Sequence, residues 1–154
     1  MRAAVLTIST TIARGEGEDR SGPALVELCE QAGLETTHEV VSDDRAAIAH
    51  AIARHADEHD ARFVFTTGGT GMTPDDVTPE ATRDAIDRDA PGYAETIRAE
   101  SRRHTPLGII TRGVAGIRGR TLIVNFPGSP RAVRQSWPVV EPTLNHAADT
   151  LERS

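Results

Sequence analysis

The 154-residue chain is 38% hydrophobic and 26% charged, the balance of one globular domain, and residues 1–154 leave no room for a second. Seventeen basic residues, every one an arginine, stand against 23 acidic ones for a net charge of −6; with 3% aromatics there is neither a phosphate-tracking basic stripe nor a base-stacking platform, which excludes nucleic acid as a partner. The apolar runs are far shorter than a bilayer span, no charged segment leads into an apolar one at the start, and the lone Cys29 cannot form an internal disulfide; these features predict a cytoplasmic protein without membrane contact.

In chain order, residues 2–9 read as a buried strand and residues 10–19 as a polar loop. Ser21-Gly22-Pro23 opens a helix with a cap candidate and an early proline. Its apolar face is Leu25, Leu28, Cys29 and Ala32, and Gly33 stops it. Cys29 on that face reads as a small buried hydrophobe. A strand over residues 34–41 runs into Ser42-Asp43-Asp44, a helix start, and the helix carries Ile48, Ile52 and Ala56 on one side. Residues 62–66 form a third strand, followed by a glycine loop. Helices are predicted over residues 78–88 and 91–103. Residues 107–111, 114–117 and 121–126 read as short strands separated by glycines, with a hairpin among them. A short helix over residues 132–137 and a last one over residues 139–151 close the chain. Strand–helix alternation of this kind predicts a three-layer α/β/α domain with a mainly parallel sheet and a small β-hairpin excursion. In such sheets ligands lie beyond the carboxyl ends of the strands.

Three features map to that edge. Thr67-Gly68-Gly69-Thr70-Gly71 follows a strand, and its glycines let backbone N–H groups approach an anion without Cβ interference. A Walker loop is excluded because the chain has no lysine, and a dinucleotide fingerprint is excluded because Met72-Thr73-Pro74, not a helix, follows the glycines. Pro127-Gly128-Ser129-Pro130 also follows a strand, with Ser129 as N-cap and Pro130 at the first helical position. Asp19, Asp43, Asp44, Asp75 and Asp76 sit in the loops after the first three strands; Asp44 and Asp75 read as helix-start charges. Carboxylates beside a phosphate cradle call for a divalent cation between them, and Mg²⁺ held by one or two carboxylates plus substrate phosphates is the usual solution. The six histidines are scattered; His50, His55 and His59 share a helical region without one metal-binding face and read as surface. Phe126 and Trp137 read as packing residues or a pocket rim.

Taken together, Thr66-Thr67-Gly68-Gly69-Thr70-Gly71, Asp76-Val77-Thr78-Pro79-Glu80-Ala81 and Asn125-Phe126-Pro127-Gly128-Ser129-Pro130 resemble the MogA/MoaB family of molybdenum cofactor biosynthesis. The segments Glu18 to Pro23, Val41 to Asp44 and Pro91 to Glu95 match in the family's order. The resemblance implies a homotrimer or hexamer, and adenylylation of molybdopterin by Mg-ATP with pyrophosphate release. It also implies hand-over of the product to a molybdenum-inserting enzyme. Carried over by position, Asp43 and Asp76 are the catalytic carboxylates and the Mg²⁺ ligands. Thr67, Gly68, Gly69, Thr70 and Gly71 with Pro127, Gly128, Ser129 and Pro130 hold pterin and nucleotide phosphates, and Asp19, Ser21 and Gly22 lie on the rim. Two positions depart from the pattern: Ser9-Thr10 stands where many members have Ser-Asp, and Asp75 where many have arginine. The second removes a positive charge near the phosphates. The alternative implied by the same resemblance is a non-catalytic pterin binder or carrier of the MoaB-like branch.

Overall fold

The computed structural model describes residues 1–153. Four strands pair in parallel: β1 (Arg2–Ile8), β2 (Glu35–Val41), β3 (Phe63–Thr67) and β6 (Thr121–Phe126). β6 continues antiparallel into β5 (Ala115–Arg118), which pairs with the two-residue β4 (Arg88–Asp89). The sheet order is β2-β1-β3-β6-β5-β4. From β1 the chain moves outward to β2 and then crosses to β3 on the other side, so the strand order reverses between β1 and β3. That reversal opens a crevice at their carboxyl ends.

Period-two alternation sorts the strand side chains onto two cores. Ala3 and Val5 of β1, Phe63 and Phe65 of β3, and Leu122, Val124 and Phe126 of β6 face one layer. That layer is α2 (Ser21–Gln31), α5 (Pro91–His104), α6 (Pro130–Val140) and α7 (Leu144–Leu151). Phe65 meets Phe126 and Trp137 edge-to-face, at centroid distances of 5.6 and 5.7 Å. Such pairs add about 0.5–1.5 kcal/mol to their burial. Ala4, Leu6, Ile8, Val64 and Ile123 face the opposite layer, α3 (Arg45–Asp57) and α4 (Thr78–Ala85). Cys29 is fully buried in the first core; burial, reinforced by Glu30, pushes its thiol up to about 12, so it behaves as an inert hydrophobe.

The structure departs from the sequence reading at several places. Residues 107–111, read as a strand, form a 3₁₀ turn (Pro106–Ile110). Pro106 fixes the first φ, and the Thr105 hydroxyl accepts from the Leu107 N–H at 3.2 Å, so the segment coils before it can pair. The loop over 10–19 begins with a single helical turn, α1 (Thr10–Ala13), capped by Ser9. α4 stops at Ala85, which frees Arg88 and Asp89 for β4. α6 starts at Pro130 and runs through Pro138 to Val140, while the last helix begins at Leu144 after the 3₁₀ turn Glu141–Thr143. Pro142 denies that turn an amide, which divides what reads in sequence as one helix. His55, read as surface, is 7% exposed because it pairs with Glu39.

Candidate active site

The glycine loop crosses the crevice between β1 and β3. Gly68 (φ +99°) and Gly69 (φ +69°) occupy backbone conformations that side-chain-bearing residues rarely adopt. A Cβ on Gly68 would lie 2.4 Å from the Ile8 carbonyl oxygen, so β1 and the loop touch through bare backbone. Four consecutive carbonyls of the loop are taken by Thr78 and Arg112. The Thr78 hydroxyl donates to Gly68 O at 3.0 Å and the Thr78 N–H to Gly69 O at 3.1 Å. The Arg112 N–H donates to Thr70 O at 2.7 Å, and its Nε to Gly71 O at 2.7 Å. The amides of Gly69, Thr70, Gly71 and Met72 donate to no acceptor among the described residues. Because each trans peptide holds C=O and the next N–H on opposite sides, fixing a carbonyl on Thr78 or Arg112 directs the N–H that follows it away from that residue. A row of unspent amides of this kind, a cradle of bare backbone, is able to accept an anion.

The second predicted loop abuts the first. The Thr67 hydroxyl donates to Pro127 O at 2.7 Å, and a Cβ on Gly128 would lie 3.2 Å from Gly68 Cα. Ser129 caps α6, its hydroxyl accepting from the Ala132 N–H at 3.1 Å, and Pro130 follows at the first helical position, as the sequence predicts. A cavity of about 210 Å³ opens beside this junction, lined by Thr70, Gly71, Gly108, Thr111, Pro127 and Gln135 among others. Larger hollows of about 320 and 390 Å³ lie against α3 and α5 respectively, and neither reaches the glycine loop.

Asp43 and Asp76 flank the cradle. Asp43 is locked to Thr10 by reciprocal bonds: its Oδ2 accepts the Thr10 N–H at 2.9 Å, and its own N–H reaches the Thr10 hydroxyl at 2.9 Å. Oδ1 is left 3.3 Å from the point where a Gly69 Cβ would stand. The Asp76 Oδ2 accepts the Thr73 N–H at 2.9 Å and its hydroxyl at 2.8 Å, and lies 2.8 Å from the corresponding point on Gly71. Each carboxylate thus keeps one oxygen outside the protein's hydrogen bonding. Among the described residues no three His, Cys, Asp or Glu side chains converge on one point. Two carboxylates with one free oxygen each are donors of the kind Mg²⁺ takes alongside water and phosphate oxygens.

The remaining predicted positions divide. Asp44 caps α3, accepting the Ala47 N–H at 2.8 Å. Asp75 is exposed and caps nothing; α4 begins at Thr78 without a side-chain cap. Asp19, Ser21 and Gly22 gather on the α2 side of β1. Ser21 is the first helical residue and caps nothing: Arg20 holds the cap position, and Asp19 before it accepts the Gly22 N–H through Oδ1 at 3.0 Å. The buried Oδ2 of Asp19 lies 3.2 Å from His38 Nε2, but that nitrogen is directed at the Thr7 hydroxyl at 2.8 Å, leaving the oxygen without a well-directed donor. A Cβ on Gly22 would strike Thr7, Asp19 and His38 together, so close packing alone accounts for this glycine.

Sequence reasoning missed three organising residues. Arg112 binds Gly71, Asp76 and Glu80 from a segment distant in sequence. Thr78 holds two loop carbonyls. Asn125, 3% exposed near the carboxyl end of β6, spends its whole amide: Nδ2 donates to the Thr66 and Thr82 hydroxyls, both at 3.0 Å, and Oδ1 accepts the Val114 N–H at 3.1 Å. A polar residue inside an otherwise apolar strand was the one available signal, and it pointed to Asn125 alone.

Residues 4–146 match the model of a family described as "Probable molybdopterin binding domain". The molybdopterin adenylyltransferase of Helicobacter pylori (strain J99) is 36% identical over 150 residues, 96% of this chain and 85% of that protein. The Escherichia coli K12 protein of the same name is 34% identical over 139 residues, 88% of this chain and 71% of its own length. Among solved structures, the molybdopterin biosynthesis enzyme MoaB of Thermus thermophilus superposes with a TM-score of 0.92 at 41% identity, covering 99% of this chain and 97% of that one. The tungsten cofactor synthesizing protein MoaB of Pyrococcus furiosus gives 0.87 at 31% identity, covering 97% and 96%. With its fold, its loops in order and these likenesses over nearly its whole length, the chain belongs to the MogA/MoaB family of molybdopterin-binding-domain proteins.

Proposed function

We propose that this protein works in molybdenum cofactor biosynthesis as a molybdopterin adenylyltransferase. The observation that carries the reading is the row of unspent amides over Gly69 to Met72 with Asp43 and Asp76 on its flanks. The names of the Helicobacter and Escherichia relatives support it. In this reaction a terminal phosphate oxygen of molybdopterin bonds to the α-phosphorus of ATP, and the bond from that phosphorus to pyrophosphate breaks. Phosphoryl-type transfers ask the protein mainly to position groups and neutralise charge.

The cradle amides, with the Pro127 to Pro130 turn beside them, hold phosphate oxygens. Asp43 and Asp76 each offer a free carboxylate oxygen, and these would hold Mg²⁺, whose chemistry is to screen the phosphate charges and favour pyrophosphate as leaving group. Thr10 and Thr73 fix the orientation of the two carboxylates before substrate arrives. Asp19, Ser21 and Gly22 form the rim on the α2 side. The protein works in this reading as a homotrimer, and light scattering giving a monomer at micromolar concentration would count against that assembly.

The test is pyrophosphate release from molybdopterin and Mg-ATP by the purified protein and by Asp43→Asn and Asp76→Asn. Loss of a preorganised electrostatic partner costs about 10²–10³ in rate, while molybdopterin affinity, resting on backbone amides, changes far less. Wild-type rates in both variants would remove the catalytic assignment. No release by the wild type with authentic substrates would replace it with a pterin carrier.

A further inference from the structure

We propose that Arg112 is a positioning residue that sets the polarity of the anion cradle, an inference resting on the reading of the site given above. Arg112 lies between the 3₁₀ turn and β5, on the antiparallel half of the sheet, yet its N–H, Nε and Nη2 all reach the loop after β3. Its N–H takes Thr70 O and its Nε takes Gly71 O. Nη2 takes Asp76 O at 2.7 Å. Nη1 and Nη2 together grip the Glu80 carboxylate at 2.9 to 3.1 Å. That hydrogen bonding holds the Glu80 carboxyl below its ordinary range, so the pair stays charged and the cation is balanced at neutral pH.

Peptide planarity turns these contacts into a statement about ligand binding. The Thr70 carbonyl shares a rigid plane with the Gly71 N–H, and the Gly71 carbonyl with the Met72 N–H. Holding both oxygens on the Arg112 side drives both N–H vectors to the opposite side. The bond to Asp76 O ties the carbonyl of the second flanking carboxylate residue to the same guanidinium. Arg112 therefore couples the orientation of half the cradle to the position of Asp76. Lysine, with one nitrogen on a flexible stem, cannot grip Gly71, Asp76 and Glu80 together.

A control with the same local architecture exists. Arg118 donates to Ala85 O at 2.7 Å and grips Asp57 at 2.7 and 3.0 Å, away from the cradle. Its removal reports what losing a buttressing arginine costs in stability alone.

The experiment compares the wild type with Arg112→Ala, Arg112→Lys and Arg118→Ala. The readouts are calorimetric affinity for inorganic pyrophosphate with Mg²⁺, turnover with molybdopterin and ATP, and the thermal midpoint. Arg112→Ala is expected to lose about tenfold in pyrophosphate affinity and about 10²-fold in turnover. Arg112→Lys keeps the charge and recovers neither function fully. Arg118→Ala lowers the midpoint and leaves affinity at the wild-type value. Unchanged affinity and turnover in Arg112→Ala would overturn the proposal. So would full rescue by lysine, since charge alone would then suffice, or an equal loss of affinity in Arg118→Ala. If Arg112→Ala does not fold, the lysine variant carries the comparison. A wild type that releases no pyrophosphate ends the adenylyl-transfer reading while the affinity ratios still decide Arg112. A wild type that does not bind pyrophosphate ends the Arg112 proposal as well.

Discussion

Replacing Gly69 with alanine separates a ligand cradle from an ordinary turn. At φ +69° the added Cβ incurs the left-handed penalty, about 1–2 kcal/mol for an L residue. It would also stand 2.3 Å from the Thr78 hydroxyl, which must rotate away and release Gly68 O. That lost bond adds about 0.5–1.5 kcal/mol, for a total of about 1.5–3.5 kcal/mol. In a chain of this size each kcal/mol moves the midpoint by about 2–4 °C, so thermal unfolding should shift down by about 3–14 °C. Gly33 supplies the control: it has φ +83° and nothing within 4 Å of an added Cβ, so Gly33→Ala carries the backbone penalty alone. Both variants are melted and titrated with Mg-pyrophosphate. Gly69→Ala should lose affinity by about 10² or more, because the methyl crowds Asp43 Oδ1 at 3.3 Å and the displaced Thr78 hydroxyl frees the Gly68 carbonyl, whose peptide carries the Gly69 amide. Gly33→Ala should bind as wild type. Equal affinities in the two variants would refute the cradle and leave the loop a turn.

Asn125→Ala should destabilise by about 2–5 kcal/mol, measured by urea unfolding, because it strands the Val114 N–H and two buried threonine hydroxyls; a loss below about 1 kcal/mol would mean those groups find other partners. Burial pushes Glu39 up, but hydrogen bonds from Arg54 and His55 outweigh it and hold the carboxyl below its ordinary value. A depressed folded pKa gives stability that is full above the unfolded value, about pH 4.3, and is lost as pH falls through the folded one. The stability gap between wild type and Glu39→Gln should therefore be constant at neutral pH and shrink in the acid limb; a gap independent of pH would remove the ion pair from the balance.

Much of the fold was legible because its signals are local. Strand–helix alternation, Ser129-Pro130 at a helix start, Asp44 as a cap and Cys29 on an apolar face each depend on a few neighbouring residues, and the structure places all of them as the residues imply. The glycine loop was legible for the same reason: consecutive glycines after a strand announce bare backbone. Where adjacent signals competed, local pattern misled. Leu107, Ile109 and Ile110 have strand-like composition, but Pro106 and the Thr105 cap start a turn first. His55 reads as polar surface until Glu39 arrives from β2 to bury it.

What tertiary structure alone decided is the direction of the chemistry. Glycines permit an amide cradle, but which side the amides face depends on donors far along the chain, Thr78 and Arg112, reaching the carbonyls. Likewise Asp43 has a fixed carboxylate only because Thr10, brought beside it by the pairing of β1 with β2, locks it. Local sequence governs backbone conformation through steric and hydrogen-bonding rules that span a few residues. The orientation of a site depends on contacts between segments separated by tens of residues, and those exist only once the sheet has brought the strand ends together.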